Sequence, residues 1–225
     1  DRERDWGAAL HGDRPTLLHV LDRVGSPGLA ADVLGVSRAG VHKAIQAWAS
    51  LGLVRRVGTR HALAEGQGRL RAFLAETART EALHRMRAID SAGELRWSLG
   101  PELLYWAPRP STSARVQPAG PTALAQYGIT TFGRGAYHAL SHRTLDGADA
   151  ALQTLLVGGD DALHRSTAAL LVEKERLDLR RKAPLYGLEE EASGVAAYLA
   201  ERRDRVGFLP WSEYDGLRRL YAPAV

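Results

Sequence analysis

From Pro15 to Val24 the apolar residues Leu17, Leu18, Val20, Leu21 and Val24 recur at spacings of three and four, which marks one face of a helix. Gly25 ends that run. Ser26 then offers a capping oxygen, and Pro27 suits a first helical position because its missing N–H would have no partner inside the helix, so a short helix is expected over 28–34. Gly35 permits a tight turn, Val36 is expected to tuck its side chain beneath it, and Ser37 caps a third helix whose buried stripe is Val41, Ala44, Ile45 and Trp48. After Leu51-Gly52 the period changes to that of strands, giving a hairpin of 53–57, a Gly58-Thr59 turn and a return over 60–63.

This order is two helices joined by a short glycine turn, a helix-turn-helix, followed by a basic hairpin, or wing. The third helix leaves Arg38, Ala39, His42, Lys43 and Gln46 on its outer face. Arg and Lys can bond guanine, Gln can pair with adenine, and an alanine can meet a thymine methyl. Charge supports the same focus: residues 1–90 hold 14 Lys and Arg against 10 Asp and Glu, while 91–225 hold 16 against 16. The net charge of +4 therefore belongs to the N-terminal part, where 26–64 set Arg38, Lys43, Arg55, Arg56 and Arg60 against Asp32 alone. The candidate site residues are Ser37, Arg38, His42, Lys43, Gln46, Arg55, Arg56, Thr59 and Arg60.

Through Leu29, Ala30, Leu34, Gly35, Val36, Ser37, Val41, Lys43 and Ile45, then Leu51-Gly52-Leu53-Val54 and the charged hairpin, the chain resembles the winged helix-turn-helix of bacterial and archaeal transcriptional regulators. Trp48-Ala49 stands where that family more often has a leucine-centred pair. The resemblance implies that helix 37–49 enters the major groove of double-stranded DNA while wing 53–63 touches backbone or minor groove. Winged helices also serve as protein-interaction modules, and Arg38 and Lys43 suit phosphate as well as bases.

Beyond Gly66 and Gly68 a helix of about 20 residues is expected from Leu70, Phe73, Leu74, Leu83 and Met86, with room for a bend at 77–80, where the stripe lapses. In the regulators it resembles such a helix often pairs with its twin, which makes a homodimer the expected state; packing on its own domain is the alternative. Segments 94–99 and 102–107 flank Gly100-Pro101 as two strands, with Trp97 and Trp106 expected opposite each other in a small sheet's core. A third extended piece is expected at 114–117, and Thr122 is expected to open a short helix. Phe132-Gly133-Arg134-Gly135 is a short glycine motif that suits a phosphate nest but is common by chance. His138 and His142, four apart, fit one helix face; without a third ligand they read as a solvated or capping pair rather than a metal site.

A helix is expected over 146–157, stopped by Gly158-Gly159, with Asp160 or Asp161 capping the next. Gly-Gly-Asp-Asp invites comparison with metal-holding carboxylates, but apolar helical repeats on both sides make capping the economical reading. Two further segments, 173–186 and 187–199, and a final helix through Trp211, Tyr214, Leu217 and Leu220 complete the pattern. Ala162 to Val172, Ala183 to Glu191 and Pro121 to Ile129 resemble the tail and middle of winged-helix proteins with a nucleotidyltransferase-like or antitoxin-like domain, as in abortive-infection antitoxins of the AbiEi type. The Gly-Ser followed by Asp-x-Asp that nucleotidyl transfer needs is absent, so that resemblance implies lost catalysis.

With 45% apolar and 25% charged residues the composition is that of a globular protein. Having no cysteine, the chain excludes a disulfide framework and thiol catalysis. No apolar run reaches the 18 or more residues of a membrane span, and nothing resembles a signal peptide, so a cytoplasmic, nucleoid-associated protein is expected. No hydrolase elbow, phosphate loop, zinc-protease or dinucleotide motif occurs, so no catalytic residue, metal or cofactor is assigned. The sequence thus predicts a mainly α protein with a small β component: a winged helix-turn-helix at 1–65, a linker helix at 66–90, and an α+β to helical domain at 91–225 that dimerises or senses a small-molecule or protein effector. Two rivals stay open: an architectural or damage-response DNA binder without sequence preference, and a nucleotidyltransferase-related enzyme using acids among Asp146, Asp149, Asp160 and Asp161.

Overall fold

The computed structural model describes residues 6–131 and 133–221. It is 54% helical and 13% strand with two small sheets, so the protein is mainly α with a small β component. Two units divide it: Asp1–Ser91 with Trp97–Leu103 and Ser141–Arg143, and Ala92–Arg96 with Leu104–Leu140 and Thr144–Val225.

In the first unit α1 (Trp6–Ala9) precedes α2 (Arg14–Val24), α3 (Pro27–Leu34) and α4 (Arg38–Ser50). Local chemistry sets their ends. Gly25 closes α2 at φ 69°, the left-handed region that favours glycine, and Gly35 closes α3 at φ 65°. Ser26 accepts the Leu29 amide at 3.4 Å and Ser37 the Gly40 amide at 3.1 Å, each supplying an acceptor to an otherwise orphan helix N–H. The faces turned inward carry Leu18, Leu21, Val33, Val41, Ile45 and Trp48, all buried, and Trp48 donates its indole N–H to the Ala9 carbonyl at 3.0 Å. Truncating Trp48 would cost about 3–5 kcal/mol, because it removes both that bond and the largest side chain of this core. Ala44 is only half-buried.

β1 (Val54–Val57) and β2 (Arg60–Leu63) pair antiparallel, Val54 opposite Leu63 and Val57 opposite Arg60, across the expected Gly58-Thr59 turn. α5 (Gly68–Arg87) is a single 20-residue helix, unbroken at 77–80. Its buried residues are Leu74, Ala82 and Met86; Phe73, expected in the stripe, is 61% exposed because it falls outside the narrow face those three define. Val36 is also a correction: it is 48% exposed rather than tucked beneath its turn, where Ala31 and Val33 of α3 are buried instead.

The four-stranded sheet has the order β3-β4-β6-β5, from β3 (Glu94–Leu99), β4 (Glu102–Ala107), β5 (Gln117–Pro118) and β6 (Ala136–Leu140). Antiparallel pairing sets Gln117 opposite Ala139 and Pro118 opposite His138. The extended piece expected at 114–117 shortens to two residues, and α6 (Gly120–Ala123) starts ahead of Thr122, with Pro121 in its first turn and a 3-10 turn over Leu124–Tyr127 after it. Trp97 and Trp106 are half-buried rather than core; the buried aromatic is Tyr105. His138 and His142 share no helix. His138 is buried in β6, accepting the Ser111 amide at 3.0 Å, and His142 lies in the loop beyond.

α7 (Gly147–Gly158) and α8 (Ala162–Glu175) bury Ala151, Leu152 and Leu155 with Ala168, Ala169 and Leu171 in the second unit's core. The expected 173–186 segment is not one element: α8 ends at Arg176 in the left-handed region, φ 53°, and only α9 (Ala183–Tyr186) is helical after it. α10 (Glu189–Glu201) opens on three glutamates, favourable at the positive end of a helix dipole, and α11 (Trp211–Leu220) closes the fold. Tyr198 of α10 stacks on Phe208 at 4.4 Å and meets Trp211 and Tyr214 edge-on at 5.2 and 5.1 Å.

Candidate functional site

The burial of Val41, Ile45 and Trp48 fixes the rotation of α4, and the residues between them must then point outward. Ser37, Arg38, Ala39, His42, Lys43 and Gln46 are all exposed. Arg38 comes no closer to a carboxylate than 3.9 Å, from Asp32, with its side chain 68% exposed. The structure gives no hydrogen bond or ion pair to the side chains of His42, Lys43 and Gln46 among the described residues, so three polar or cationic heads on one face are left to water or a ligand. Ser37 is committed: its hydroxyl holds the start of the helix.

The hairpin residues are placed differently. Arg55 pairs with Glu65 at 2.6 Å, and Arg56 donates Nε–H to the Gly58 carbonyl at 2.9 Å, across its own turn. Arg60 lies over Gly25, whose missing Cβ would stand 2.5 Å from Arg60 Nε, and its Nη2 points to the Arg23 carbonyl at 3.4 Å, near the negative end of α2. Thr59 is exposed in the turn. The three arginines are therefore restrained by bonds within the unit, in contrast to Arg38 and Lys43 of α4.

Asp22, which sequence reasoning passed over, anchors the hairpin. Its carboxylate accepts the Leu63 amide at 2.8 Å and Arg71 Nε–H at 2.7 Å, and the His61 amide bonds the Gly25 carbonyl at 2.8 Å. Burial alone pushes the Asp22 carboxyl up, but the hydrogen bonds from Arg71 and Leu63 and the Arg71 charge outweigh it and hold the group below its ordinary value. One signal was legible: an acid near a helix C-terminus opposes the dipole, so it implies a compensating partner elsewhere.

The acids of the second unit form bonds of their own. Asp146 accepts the Ala148 and Asp149 amides, and Asp149 accepts the Asp146 amide in return, a reciprocal capping box. Lys182 Nζ donates to both carboxylates, at 2.7 and 2.6 Å, and the Tyr186 hydroxyl donates to the fully buried Asp149 at 2.8 Å. Burial raises the Asp146 carboxyl, but Lys182 and the two amides overcome this and hold it low. Asp161 caps α8 through the His164 amide and Asp160 pairs with Arg165 at 2.9 Å. Among the described residues no group of three or more His, Asp or Glu is placed to hold a metal ion.

Of the glycine motif, Phe132 lies outside the described residues. The Arg134 carbonyl accepts the Trp106 indole N–H at 3.0 Å, and a Cβ on Gly135 would meet the Ala107 carbonyl at 2.3 Å, so close packing on β4 accounts for that glycine. Among the described residues no helix is long and apolar enough to cross a membrane. No protein-family model, curated protein or solved structure matches the chain.

Proposed function

We propose that this chain is a DNA-binding regulator whose first unit acts as a winged helix-turn-helix. In this reading α3 and α4 are the helix pair, α4 enters the major groove, and the β1–β2 hairpin is the wing. The observation that carries it is the α4 outer face, where Arg38, His42, Lys43 and Gln46 stand exposed with a single long ion pair among them. Unpaired cations on one helix face lose little on meeting phosphate and release counterions in doing so, while Gln46 and Arg38 have the donors and acceptors that base edges require. Ser37 fixes the start of the helix, whose first turn holds no acid to repel a phosphate.

Arg56, Thr59 and Arg60 would contact the DNA backbone, and Arg55 would join them on giving up its pair with Glu65. The same reading assigns residues 91–225 to dimerisation or effector sensing, with antitoxin-like ancestry, and places the protein on the nucleoid in the cytoplasm. A second copy would pair through α5, on which Phe73 lies 61% exposed.

Fluorescence anisotropy with DNA from upstream of the protein's own gene and with an unrelated duplex tests the proposal. Tight, salt-dependent binding that prefers the upstream DNA is expected. Equal binding to both would replace it with an architectural role, and absence of binding to either would reduce the first unit to a protein-interaction module.

A further inference from the structure

Within the first unit a cavity of about 470 Å³ opens beside the turn that leads into α4. It falls in the range of small-molecule sites, roughly 300–1,000 Å³. Its apolar wall comes from Leu17 of α2, Leu34 at the end of α3, Val36 of the α3–α4 turn, and Pro101. Val36 is thus exposed into a concave space rather than onto a flat surface.

The charged groups around it are unequal in what they offer. Arg85 is spent: its guanidinium donates to the Pro101 carbonyl at 2.7 Å and the Gly100 carbonyl at 2.6 Å, and its Nε–H to the Glu81 carbonyl at 3.4 Å. Arg14 also has a partner. Asp13 and Glu81 are exposed, and among the described residues neither carboxylate has a hydrogen bond or ion pair, although Glu81 feels the charge of Arg85; Asp13 does not cap α2. An anionic ligand would find the Arg85 guanidinium engaged, whereas a ligand that donates N–H bonds finds two carboxylates without a hydrogen bond among the described residues.

We infer that this cavity is a binding site for a small organic amine, an apolar body seated on Leu17, Leu34, Val36 and Pro101 with its ammonium group held by Asp13 and Glu81. The wall it fills is rigid on its far side. Gly100, at φ +57°, packs so closely that a Cβ there would stand 2.8 Å from Val20 and 3.1 Å from Leu34, and Arg85 fixes its carbonyl. The opposite wall is the α3–α4 turn, at Val36, one residue before the Ser37 cap of α4. A bound amine would therefore lie against the start of α4 and change how that helix meets DNA. That consequence rests on the DNA-binding reading, whereas the site itself does not.

The test uses the full chain with pyrenemethylamine and pyrenecarboxylate, which share an apolar body and differ in charge, followed by probe fluorescence. The amine is expected to bind and the carboxylate to bind at least about threefold more weakly. Asp13→Asn with Glu81→Gln, two exposed changes that leave the core intact, should remove that preference. Equal uptake of both probes, or a preference that survives the double variant, would overturn the proposal. Adding the amine to a DNA anisotropy titration separates the two readings: probe binding without any DNA binding defeats only the regulator, and DNA binding without probe binding defeats only the amine site.

Discussion

On α4, Arg38, His42, Lys43 and Gln46 reach water with one long ion pair among them, whereas at the start of α7 Asp146 and Asp149 share Lys182, Tyr186 and the helix's own amides. Both clusters attract functional readings as sequence: one as a base reader, the other as candidate acids of a nucleotidyltransferase-related enzyme. What separates them is how much of each group's bonding capacity the fold has already used. A carboxylate that caps its own helix and neutralises a lysine has little left for a metal, while a lysine with no internal partner keeps its charge available.

The largest expected effect breaks the consumed cluster. Asp149→Ala leaves Lys182, the Tyr186 hydroxyl and the Asp146 amide without their shared acceptor, and should cost about 3–5 kcal/mol in urea unfolding. Unchanged stability would mean that those bonds do not hold α7 in place.

Next comes the free cluster. Arg38→Ala and Lys43→Ala should each weaken DNA binding by about 1–3 kcal/mol where a base contact is lost, and leave unfolding within about 0.5 kcal/mol of the parent because neither has a close internal partner. A loss of stability comparable to that of Asp149→Ala would erase the distinction between the two clusters.

Asp22 makes a smaller, pH-dependent case. Its folded-state carboxyl is depressed, so the stability it contributes is fully present above the ordinary carboxylate range and is lost as pH falls through the depressed value. Asp22→Asn should cost about 1–2 kcal/mol near neutral pH and progressively less toward about pH 3, when unfolding is followed across that range. A constant difference at every pH would show that the charge is not what holds the hairpin.

The smallest effect sharpens the contrast within the wing. Glu65→Gln releases Arg55 from a surface pair worth about 0.2–1 kcal/mol and should raise DNA affinity by no more than about fivefold, read in the same titration. Weaker binding would mean that the pair positions Arg55 rather than restraining it.

Helix ends were legible because they are local: Ser26, Ser37 and Asp161 cap where their side chains can reach an amide three residues on. The hairpin was legible for the same reason, from a glycine turn between short apolar-basic runs. Exposure was harder. Val36, Phe73, Trp97 and Trp106 are apolar residues whose burial depends on distant partners, and all four are more exposed than their patterns imply. His138 and His142 fit a helical spacing that a strand overrode, since the Ser111 amide and the β5 pairing lie far away in sequence. On α4 the periodicity showed which residues face outward; which arginines are already bonded depended on Arg23, Glu65 and Gly58 and could not be read from spacing.

The most direct measurement compares the salt dependence of DNA affinity for the parent chain and for the variant carrying both Arg38→Ala and Lys43→Ala. If α4 meets DNA with these side chains, the variant binds more weakly and the slope of log affinity against log salt falls by about one for each phosphate contact removed. The same affinity and the same slope in both proteins, with the fold unchanged, would contradict the account.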